Sequence, residues 1–225
     1  MEKYIKKINV LDKGFVQYVD HMGSCKTISD AARCSFDKVK DEFDDADEKL
    51  IKYLAREKHM LPFRHPQISL RVKMPIFVAR QLMKYNIGFS WSEVSRRYVT
   101  GDLEFWTPDD LRVRPENIKQ GSVYDEYDLI DQEWAYQEIA DKNEWCMNSY
   151  YQLIEAGVAP EQARAVLPAS LYTTVYVTGS LLGWNHLYKQ RTDPHAQLET
   201  QQYAYAIGNV MEELYPVSWR ALSGV

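Results

Sequence analysis

The stretch ISLRVKMPIFVARQLMKY at residues 68–85 contains the sequence patterns of both a β-strand and an α-helix. Apolar and polar residues alternate over residues 68–73, which is the pattern of a β-strand with one buried face. Pro75 follows, and because proline suits the first turn of a helix, the sequence predicts a helix over residues 76–85. A half-buried strand that runs directly into a helix indicates a fold of mixed α and β structure.

Further strands and helices are predicted on both sides of this stretch, without a regular alternation of the two. Strands are expected within residues 4–19, around a turn at Asp12-Lys13-Gly14, and at residues 103–106 and 171–177. Helices are expected at residues 28–35, 44–58, 125–156, 180–190 and 194–214 and between Pro160 and Pro168, with irregular segments at residues 59–65, 87–98 and 108–124. This order favours an α+β fold, a helix-rich single domain over residues 1–225 with a small antiparallel or mixed sheet.

The composition of the 225-residue chain excludes several classes of protein. The net charge of −5 argues against a nucleic-acid coat protein. No apolar run approaches the roughly 20 residues of a membrane span, and the first residues lack the apolar core of a secretory signal. The three cysteines show no C-x-x-C spacing, so neither a disulfide framework nor a cysteine zinc site is predicted. We therefore expect a cytoplasmic protein without a metal.

Basic residues around the end of the predicted helix form a candidate phosphate site. Arg80 and Lys84 lie four residues apart and share one helix face, and Ser95-Arg96-Arg97 follows in a segment expected to be irregular. A phosphate monoester is bound by such hydroxyl, backbone N–H and guanidinium groups. A solvated basic face paired with Glu93 would explain the same residues, and the pattern leaves both interpretations open.

Two later stretches carry further candidate residues. Arg164 lies among apolar residues at a helix end, so it is either ion-paired within the fold or directed at a ligand. Arg191 and His195 flank Asp193-Pro194, which are expected to cap and open the last predicted helix. A helix N-terminus favours an anionic or polar ligand, although a single histidine there is more often structural.

Common catalytic motifs are absent from the sequence. It contains no G-x-G-x-x-G, no G-x-x-x-x-G-K-[ST], no H-E-x-x-H and no G-x-S-x-G, and Cys34 and Cys146 lack a histidine context for a nucleophile. From the residues themselves we expect a cytosolic protein that binds a phosphorylated small molecule with a ring.

The three basic stretches together resemble the flavin-dependent thymidylate synthases of the ThyX family. The signature of that family is Arg-His-Arg, seven or eight residues, and Ser. Here Lys84-Tyr85-Asn86, eight residues and Ser95 occupy the same frame. The flanking blocks match more closely, and the resemblance runs from about residue 8 to residue 214. The matching blocks are PIFVARQ at residues 75–81, Glu93 with Ser95, Arg97 and Tyr98, and the segments that begin at Asp12, Ala31, His59, Ala163 and Arg191.

The signature itself departs from the family pattern. Lys84 keeps a positive charge but lacks the bidentate fork of arginine. Tyr85 can stack as histidine does but carries no titrating proton near neutral pH, and Asn86 removes a charge. These departures bear on FAD affinity and folate use more than on nucleotide binding. Further departures, where many members have asparagine, are Ser92, Ser180 and His186.

The resemblance implies a chemistry and a set of site residues. It implies conversion of dUMP to dTMP, with methylenetetrahydrofolate as carbon donor and NADPH-reduced FAD as hydride source. Arg191 is the implied catalytic residue, because a guanidinium at the uracil edge favours the developing negative charge, and His195 is implied to support it. The implied dUMP-binding residues are Gln81, Lys84, Glu93, Ser95, Arg96, Arg97, Arg164 and Arg191. The implied FAD-binding residues are His59, Lys84, Tyr85, Asn86, Glu93, Ser180 and His186.

The resemblance also implies a homotetramer whose active sites draw residues from several subunits. Two alternatives stay open. The same flavin and folate chemistry could install a hydroxymethyl group on a pyrimidine nucleotide, which the altered signature would permit. The chain could also be a non-catalytic nucleotide-binding paralogue. Loss of Arg-His-Arg favours the paralogue, whereas retention of Arg164 and Arg191 argues against it.

Overall fold

The strand predicted at residues 68–73 lies at the centre of a five-stranded sheet in the computed structural model, which describes residues 7–116, 121–124 and 132–224. The strand order is β1-β2-β3-β5-β4, and every neighbouring pair is antiparallel, so the sheet is not mixed. The α+β prediction is confirmed. The strands are β1 (Lys7–Val10), β2 (Gly14–Met22), β3 (Gln67–Pro75), β4 (Phe89–Glu93) and β5 (Tyr172–Ser180).

Helices make up most of the remaining described chain. Short 3₁₀ turns occupy Cys34–Phe36, Leu61–Arg64 and Arg164–Val166. The described α-helices are α1 (Cys25–Arg33), α2 (Asp45–Arg56), α3 (Ile76–Leu82), α4 (Gln132–Glu155), α5 (Pro160–Ala163), α6 (Leu181–Arg191), α7 (Leu198–Leu214) and α8 (Pro216–Ser223). No helix among the described residues is long and apolar enough to cross a membrane.

One face of the sheet carries the main hydrophobic core. The alternation in β3 buries Ile68, Leu70 and Val72 almost completely and leaves Arg71 exposed on the other face. Helices α6, α7 and α8 pack against one another on the buried side, where Trp184 belongs to the same core. Because α6 leaves directly from the end of β5, the sheet and the core fix the start of this helix, which carries Arg191 at its other end.

The structure departs from the predicted strands at two places. Residues 87–98 were expected to be irregular, yet they contain the edge strand β4, which pairs with β5 from Phe89↔Gly179 to Glu93↔Val175. Half-buried Phe89 and Trp91 alternate with exposed serines, and that short period-two pattern is the signal for the strand. The strand predicted at residues 103–106 is wrong, because only Phe105 pairs there, in an isolated bridge to Leu171.

The last two helices also differ from expectation. The predicted helix over residues 194–214 begins at Leu198, and α8 was not predicted at all. The predicted capping role of Asp193 is wrong. Its carboxylate accepts the backbone N–H of His195 at 2.8 Å, while the backbone N–H of Ala196 donates to the Asp193 carbonyl at 2.9 Å. Asp193-Pro194 therefore forms a tight turn between α6 and α7 and not the first turn of α7.

We expect Gly14→Ala to destabilise the protein by about 2 kcal/mol or more, because overpacking a filled site costs roughly 1–3 kcal/mol. A Cβ on Gly14 would lie 1.9 Å from the Tyr203 hydroxyl oxygen and 2.6 Å from the Val10 carbonyl oxygen. Gly101→Ala is the matched control, because a Cβ there meets nothing within 4 Å. Thermal unfolding of the two variants measures the effect, and equal melting temperatures would contradict the expectation.

Candidate active site

A cavity of about 980 Å³ opens at the carboxyl end of α6, and we call it the Arg191 cavity. Its described lining includes Gln81 from α3, Lys189 and Arg191 from α6, His195 from the following turn and Arg112 from the loop before α4. Three of these side chains are cations, against one aspartate among the described lining residues. The cavity therefore suits an anionic or electron-rich ligand.

Contacts on two sides hold the Arg191 side chain in place. Its Nη2 donates a hydrogen bond to the Gln81 carbonyl oxygen at 3.0 Å. Its guanidinium carbon lies 5.2 Å from the centre of the Tyr85 ring, within the range of a cation–π contact. A guanidinium fixed between α3 and this ring is preorganised for a ligand.

The Nε atom of Arg191 is buried and has no hydrogen-bond partner in the described part of the chain. A buried donor without a partner costs roughly 1–3 kcal/mol. A ligand atom that accepts this hydrogen bond would remove the cost. The orphaned Nε is therefore evidence that Arg191 meets a ligand.

The Tyr85 ring, which the Arg191 guanidinium faces, is itself held in place by a hydrogen bond. Its hydroxyl donates a hydrogen bond to Oε1 of Gln190 at 2.6 Å, which fixes the ring. Burial raises the pKa of Tyr85, and the positive charge of Arg191 opposes that rise only in part. The hydroxyl therefore stays protonated at neutral pH. The observed contacts make Tyr85 a platform for Arg191, a role that the sequence did not predict.

A chain of hydrogen bonds connects Gln81 to the loop before α4. Nε2 of Gln81 donates to Oε1 of Gln197 at 2.6 Å, and Nε2 of Gln197 donates to Oε2 of Glu199 at 2.8 Å. Glu199 is 2% exposed and forms an ion pair with Arg112. Arg112 also donates from Nε to the Ser122 hydroxyl at 2.7 Å.

The ion pair between Arg112 and Glu199 anchors the loop before α4 at the wall of the Arg191 cavity. Burial disfavours the charged form of Arg112, but the hydrogen bonds and charges of Glu199 and, to a smaller extent, Tyr124 outweigh this and raise the pKa of Arg112 overall. Sequence reasoning missed Arg112, Gln197 and Glu199. No sequence pattern indicates that Glu199 is buried or that Arg112 is its partner.

A second cavity, of about 530 Å³, holds most of the predicted phosphate residues, and we call it the Arg164 cavity. Its lining includes Arg80, Glu93, Ser95, Arg96 and Arg164. Ser95 accepts the backbone N–H of the residue two positions later through its hydroxyl at 3.3 Å, as expected for an irregular turn. The Glu93 carboxylate accepts a hydrogen bond from a neighbouring threonine of β5 at 2.8 Å, so Glu93 is held by the sheet.

Arg97 and Arg164 both meet Glu161 at the rim of the Arg164 cavity. Nη2 of Arg97 lies 3.1 Å from Oε2 of Glu161, and Nε of Arg164 donates to the Glu161 carbonyl at 3.3 Å. All three residues are exposed. Exposed pairs of this kind contribute little to stability, so both guanidinium groups can turn to a ligand at small cost.

A third cavity, of about 390 Å³, lies where β4 and β5 meet α6, and we call it the Ser180 cavity. Its lining combines apolar Ile87, Phe89 and Leu182 with the hydrogen-bonding groups of Ser180 and His186. The Ser180 hydroxyl accepts the backbone N–H of Gly183 at 3.2 Å and so caps α6. An apolar pocket with polar groups at its edge suits a flat heterocycle.

Other predicted flavin residues lie outside these cavities. His59, Lys84 and Asn86 are exposed and are not among the described residues that line any of the three. His59 stacks on Tyr53, with ring centres 6.1 Å apart. His195 does line the Arg191 cavity, where its Nδ1 lies 3.0 Å from the carboxylate of Asp193. No group of three or more metal-binding side chains occurs among the residues that the structure describes.

The sequence matches the model of the family described as "Thymidylate synthase complementing protein" over residues 17–217. The chain belongs to this family. The resemblance predicted from the sequence is thereby confirmed.

Two bacterial relatives of this thymidylate synthase family cover nearly the whole chain. A flavin-dependent thymidylate synthase of Thermotoga neapolitana is 40% identical over 96% of this chain and 93% of its own length. A protein of the same name from Thermus thermophilus is also 40% identical, over 95% of this chain and 77% of its own length.

Solved structures of a related enzyme share the family fold. Two crystal structures of the UMP/dUMP methylase PolB from Streptomyces cacaoi, bound with 5-Br dUMP and 5-Br UMP, superpose with TM-scores of 0.82 and 0.84. Both are 28% identical to this chain and cover 96% of it, and the chain in turn covers 97% and 96% of them. The fold is therefore one that also occurs in a pyrimidine nucleotide methylase.

Proposed function

We propose that the chain methylates dUMP to dTMP with methylenetetrahydrofolate as carbon donor, and that FAD reduced by NADPH supplies the hydride. The observation that carries this proposal is Arg191, which is fixed between Gln81 and Tyr85 with a buried Nε that lacks a partner among the described residues. Family membership and the names of the relatives support the reaction class. We also propose that residues 1–225 form one domain and act in the cytoplasm.

Arg191 acts on the pyrimidine. A guanidinium at the uracil edge stabilises the negative charge that develops when C5 becomes nucleophilic. Because the guanidinium is already fixed before the ligand binds, little reorganisation is needed during the reaction. His195 lines the same cavity, and its Nδ1 contacts the Asp193 carboxylate. We therefore propose that His195 has a supporting role and does not transfer a proton.

The Arg164 cavity takes the phosphate of the nucleotide and one side of its pyrimidine. Ser95, Arg96 and Arg97 offer a hydroxyl, backbone N–H groups and guanidinium forks to the phosphate. Arg164 holds the pyrimidine side and Glu93 positions the nucleotide there, while Gln81 positions it from the Arg191 cavity.

Arg191 and Arg164 line separate cavities of one chain. This separation supports a homotetramer in which one nucleotide contacts the Arg191 cavity of one subunit and the Arg164 cavity of another. In such an assembly the exposed His59, Lys84 and Asn86 reach a flavin shared between subunits.

The residues of the Ser180 cavity fit a flavin ring. Leu182 and Phe89 provide an apolar surface, and Ser180 and His186 provide hydrogen-bonding groups at its edge. The volume of about 390 Å³ is near the small end of ligand sites, which span roughly 300–1,000 Å³, so it holds part of FAD and not the whole molecule. FAD bound there would supply hydride transfer, while these side chains orient the ring and exclude water.

Product analysis tests the proposed reaction. The purified chain is incubated with dUMP, methylenetetrahydrofolate, NADPH and FAD, and the nucleotides are separated. We expect dTMP. A hydroxymethylated nucleotide would instead favour the alternative one-carbon product, and unchanged dUMP would favour a non-catalytic nucleotide-binding paralogue. The Streptomyces protein is described as a methylase of both UMP and dUMP, so a parallel incubation with UMP tests whether this chain also accepts the ribonucleotide.

We expect Lys84→Arg to tighten FAD binding, because the guanidinium restores a bidentate donor to a phosphate where the ammonium offers a point charge. The gain should be about threefold to tenfold in Kd, since hydrogen bonds to charged groups are worth roughly 1.5–3 kcal/mol and an exposed site realises only part of this. Flavin fluorescence titration measures the affinity. Lys49→Arg, on the exposed face of α2, is the control. Equal FAD affinities of Lys84→Arg and the unaltered chain would remove Lys84 from the flavin site.

A further inference from the structure

A basic cavity of about 640 Å³ lies between the carboxyl end of α2, the middle of α6 and α8, and we call it the α2–α8 cavity. Its described lining includes Lys52, Arg56, Lys58 and Lys189, together with His186, and it contains no acidic residue. Lys52 and Arg56 have neighbouring glutamates within 3.6 Å and 2.8 Å. Neither Lys58 nor Lys189 forms an ion pair within the described ranges, so the cavity carries uncompensated positive charge.

A buried amide lines the same cavity. Asn185 is 2% exposed, and its Nδ2 has no hydrogen-bond partner in the part of the chain that the structure describes. Buried polar groups of native proteins are nearly always paired, so an unpaired amide donor in a cavity wall indicates a missing acceptor. A carboxylate or phosphate oxygen is such an acceptor, and the surrounding cations would favour its charge.

The backbone at Lys58 gives a third indication. Helix α2 ends in a Schellman motif, in which the N–H of Lys58 donates to the Ala55 carbonyl at 3.2 Å and that of His59 to the Leu54 carbonyl at 2.8 Å. Lys58 therefore adopts a φ of 59°, a left-handed conformation that glycine adopts freely and other residues adopt at a cost in free energy. A lysine at this position therefore carries a backbone cost, which a ligand bound by its side chain would offset.

The α2–α8 cavity adjoins both cavities in which we place the chemistry. It shares His186 and Leu182 with the Ser180 cavity and Lys189 with the Arg191 cavity. These three residues recur at intervals of three or four along α6 and so share one helix face. A ligand anchored in the α2–α8 cavity can therefore extend its other end toward the flavin ring.

We propose that the α2–α8 cavity binds the anionic end of an extended co-substrate, whose reactive end lies at the flavin. This inference rests on the proposed function. The shared chemistry is a row of carboxylate or phosphate oxygens that Lys52, Lys58 and Asn185 bind together. Two co-substrates carry such oxygens: a folate with a tail of several glutamates, and NADPH with its ribose phosphate.

Binding of matched ligands to the FAD-loaded protein distinguishes the two sources. Isothermal titration calorimetry compares tetrahydrofolate bearing five glutamates with the monoglutamate, and NADPH with NADH. The test variants are Lys58→Gly, which removes the charge and relieves the backbone, and Lys52→Gln. Lys49→Gln is the matched control, because Lys49 lies on the same helix, is exposed and does not line the cavity.

We expect Lys58→Gly to lower the affinity for one of the two anionic ligands about tenfold, as befits the loss of a charge-assisted contact. Lys52→Gln should have a smaller effect in the same direction. The monoglutamate, which has only two carboxylates, and NADH, which lacks the ribose phosphate, should lose less affinity than the pentaglutamate and NADPH in each variant. A selective loss for the pentaglutamate identifies the folate tail, and a selective loss for NADPH identifies the dinucleotide. Equal affinities in Lys58→Gly and Lys49→Gln for both anionic ligands would overturn the proposal.

The melting temperature separates a binding effect from a folding defect. Lys58→Gly should melt at the same or a higher temperature than the unaltered chain, because glycine relieves the left-handed backbone. Calorimetry needs no turnover, so its outcome is independent of dTMP formation. If dTMP is not formed but the variants still lose affinity for the anionic ligand, the proposed reaction fails and the anion site stands.

Discussion

Arg191→Ala should lower the kcat of dTMP formation by about a hundredfold to a thousandfold, the range observed when one preorganised electrostatic donor is removed from an active site. The guanidinium is held by the Gln81 carbonyl and the Tyr85 ring before any ligand binds. Alanine leaves nothing in that position to stabilise charge on the pyrimidine. Arg191→Lys should recover only a small part of the rate, because an ammonium cannot donate to the Gln81 carbonyl and the ligand from a planar fork.

Fold and assembly should survive this substitution. Arg191 makes no ion pair within the described residues, so its removal leaves no buried charge behind. The melting temperature and the oligomeric state of Arg191→Ala are therefore expected to match those of Arg220→Ala, a control at an exposed arginine. Turnover of Arg191→Ala close to that of the control would show that the pyrimidine is activated elsewhere.

Arg112→Ala should destabilise the folded protein by about 3 kcal/mol, the lower end of the cost of breaking a buried ion pair. The side chains of Arg112 and Glu199 are 15% and 3% exposed, so alanine would leave the Glu199 carboxylate buried without its counter-charge. Unfolding in urea, or a fall in melting temperature, measures the loss.

A double variant tests whether the unpaired Glu199 carboxylate causes this loss of stability. In the double variant Arg112→Ala/Glu199→Gln no buried charge remains, and the introduced amide still offers an oxygen to the side chain of Gln197. We therefore expect the double variant to be more stable than Arg112→Ala alone. If the two variants unfold at the same denaturant concentration, the cost comes from the lost packing of the loop and not from an unpaired carboxylate.

Regular structure was predictable wherever a local rule decided it. The alternation over residues 68–73 gave a true strand, and Pro75 marked the start of α3. Local rules failed where contacts with other parts of the chain determine the secondary structure. The edge strand β4 is only five residues long, so its alternation is too short to distinguish a strand from a loop, and pairing with β5 decides its structure. Helix α8 follows α7 after a single residue, so its amphipathic pattern merges with that of its neighbour.

The sequence indicated several residues that line the cavities, but not how they are arranged. The resemblance pointed to Arg191, Gln81 and Arg164, and the structure places all three at cavities. It did not indicate that Arg112 pairs with Glu199, because 87 positions separate them and single charges carry no periodic signal. The role of Tyr85 was equally hidden, since it depends on a contact with Arg191, which lies far from it in the sequence.

The placement of Arg191 and Arg164 in different cavities has a genetic consequence. If one active site takes these two arginines from different subunits, then a protein without Arg191 and a protein without Arg164 lack different halves of it. Each variant would be inactive by itself. A cell that produced both would assemble mixed oligomers, some of whose sites receive the intact half from each parent, and such a cell would regain thymidylate synthesis without any wild-type copy.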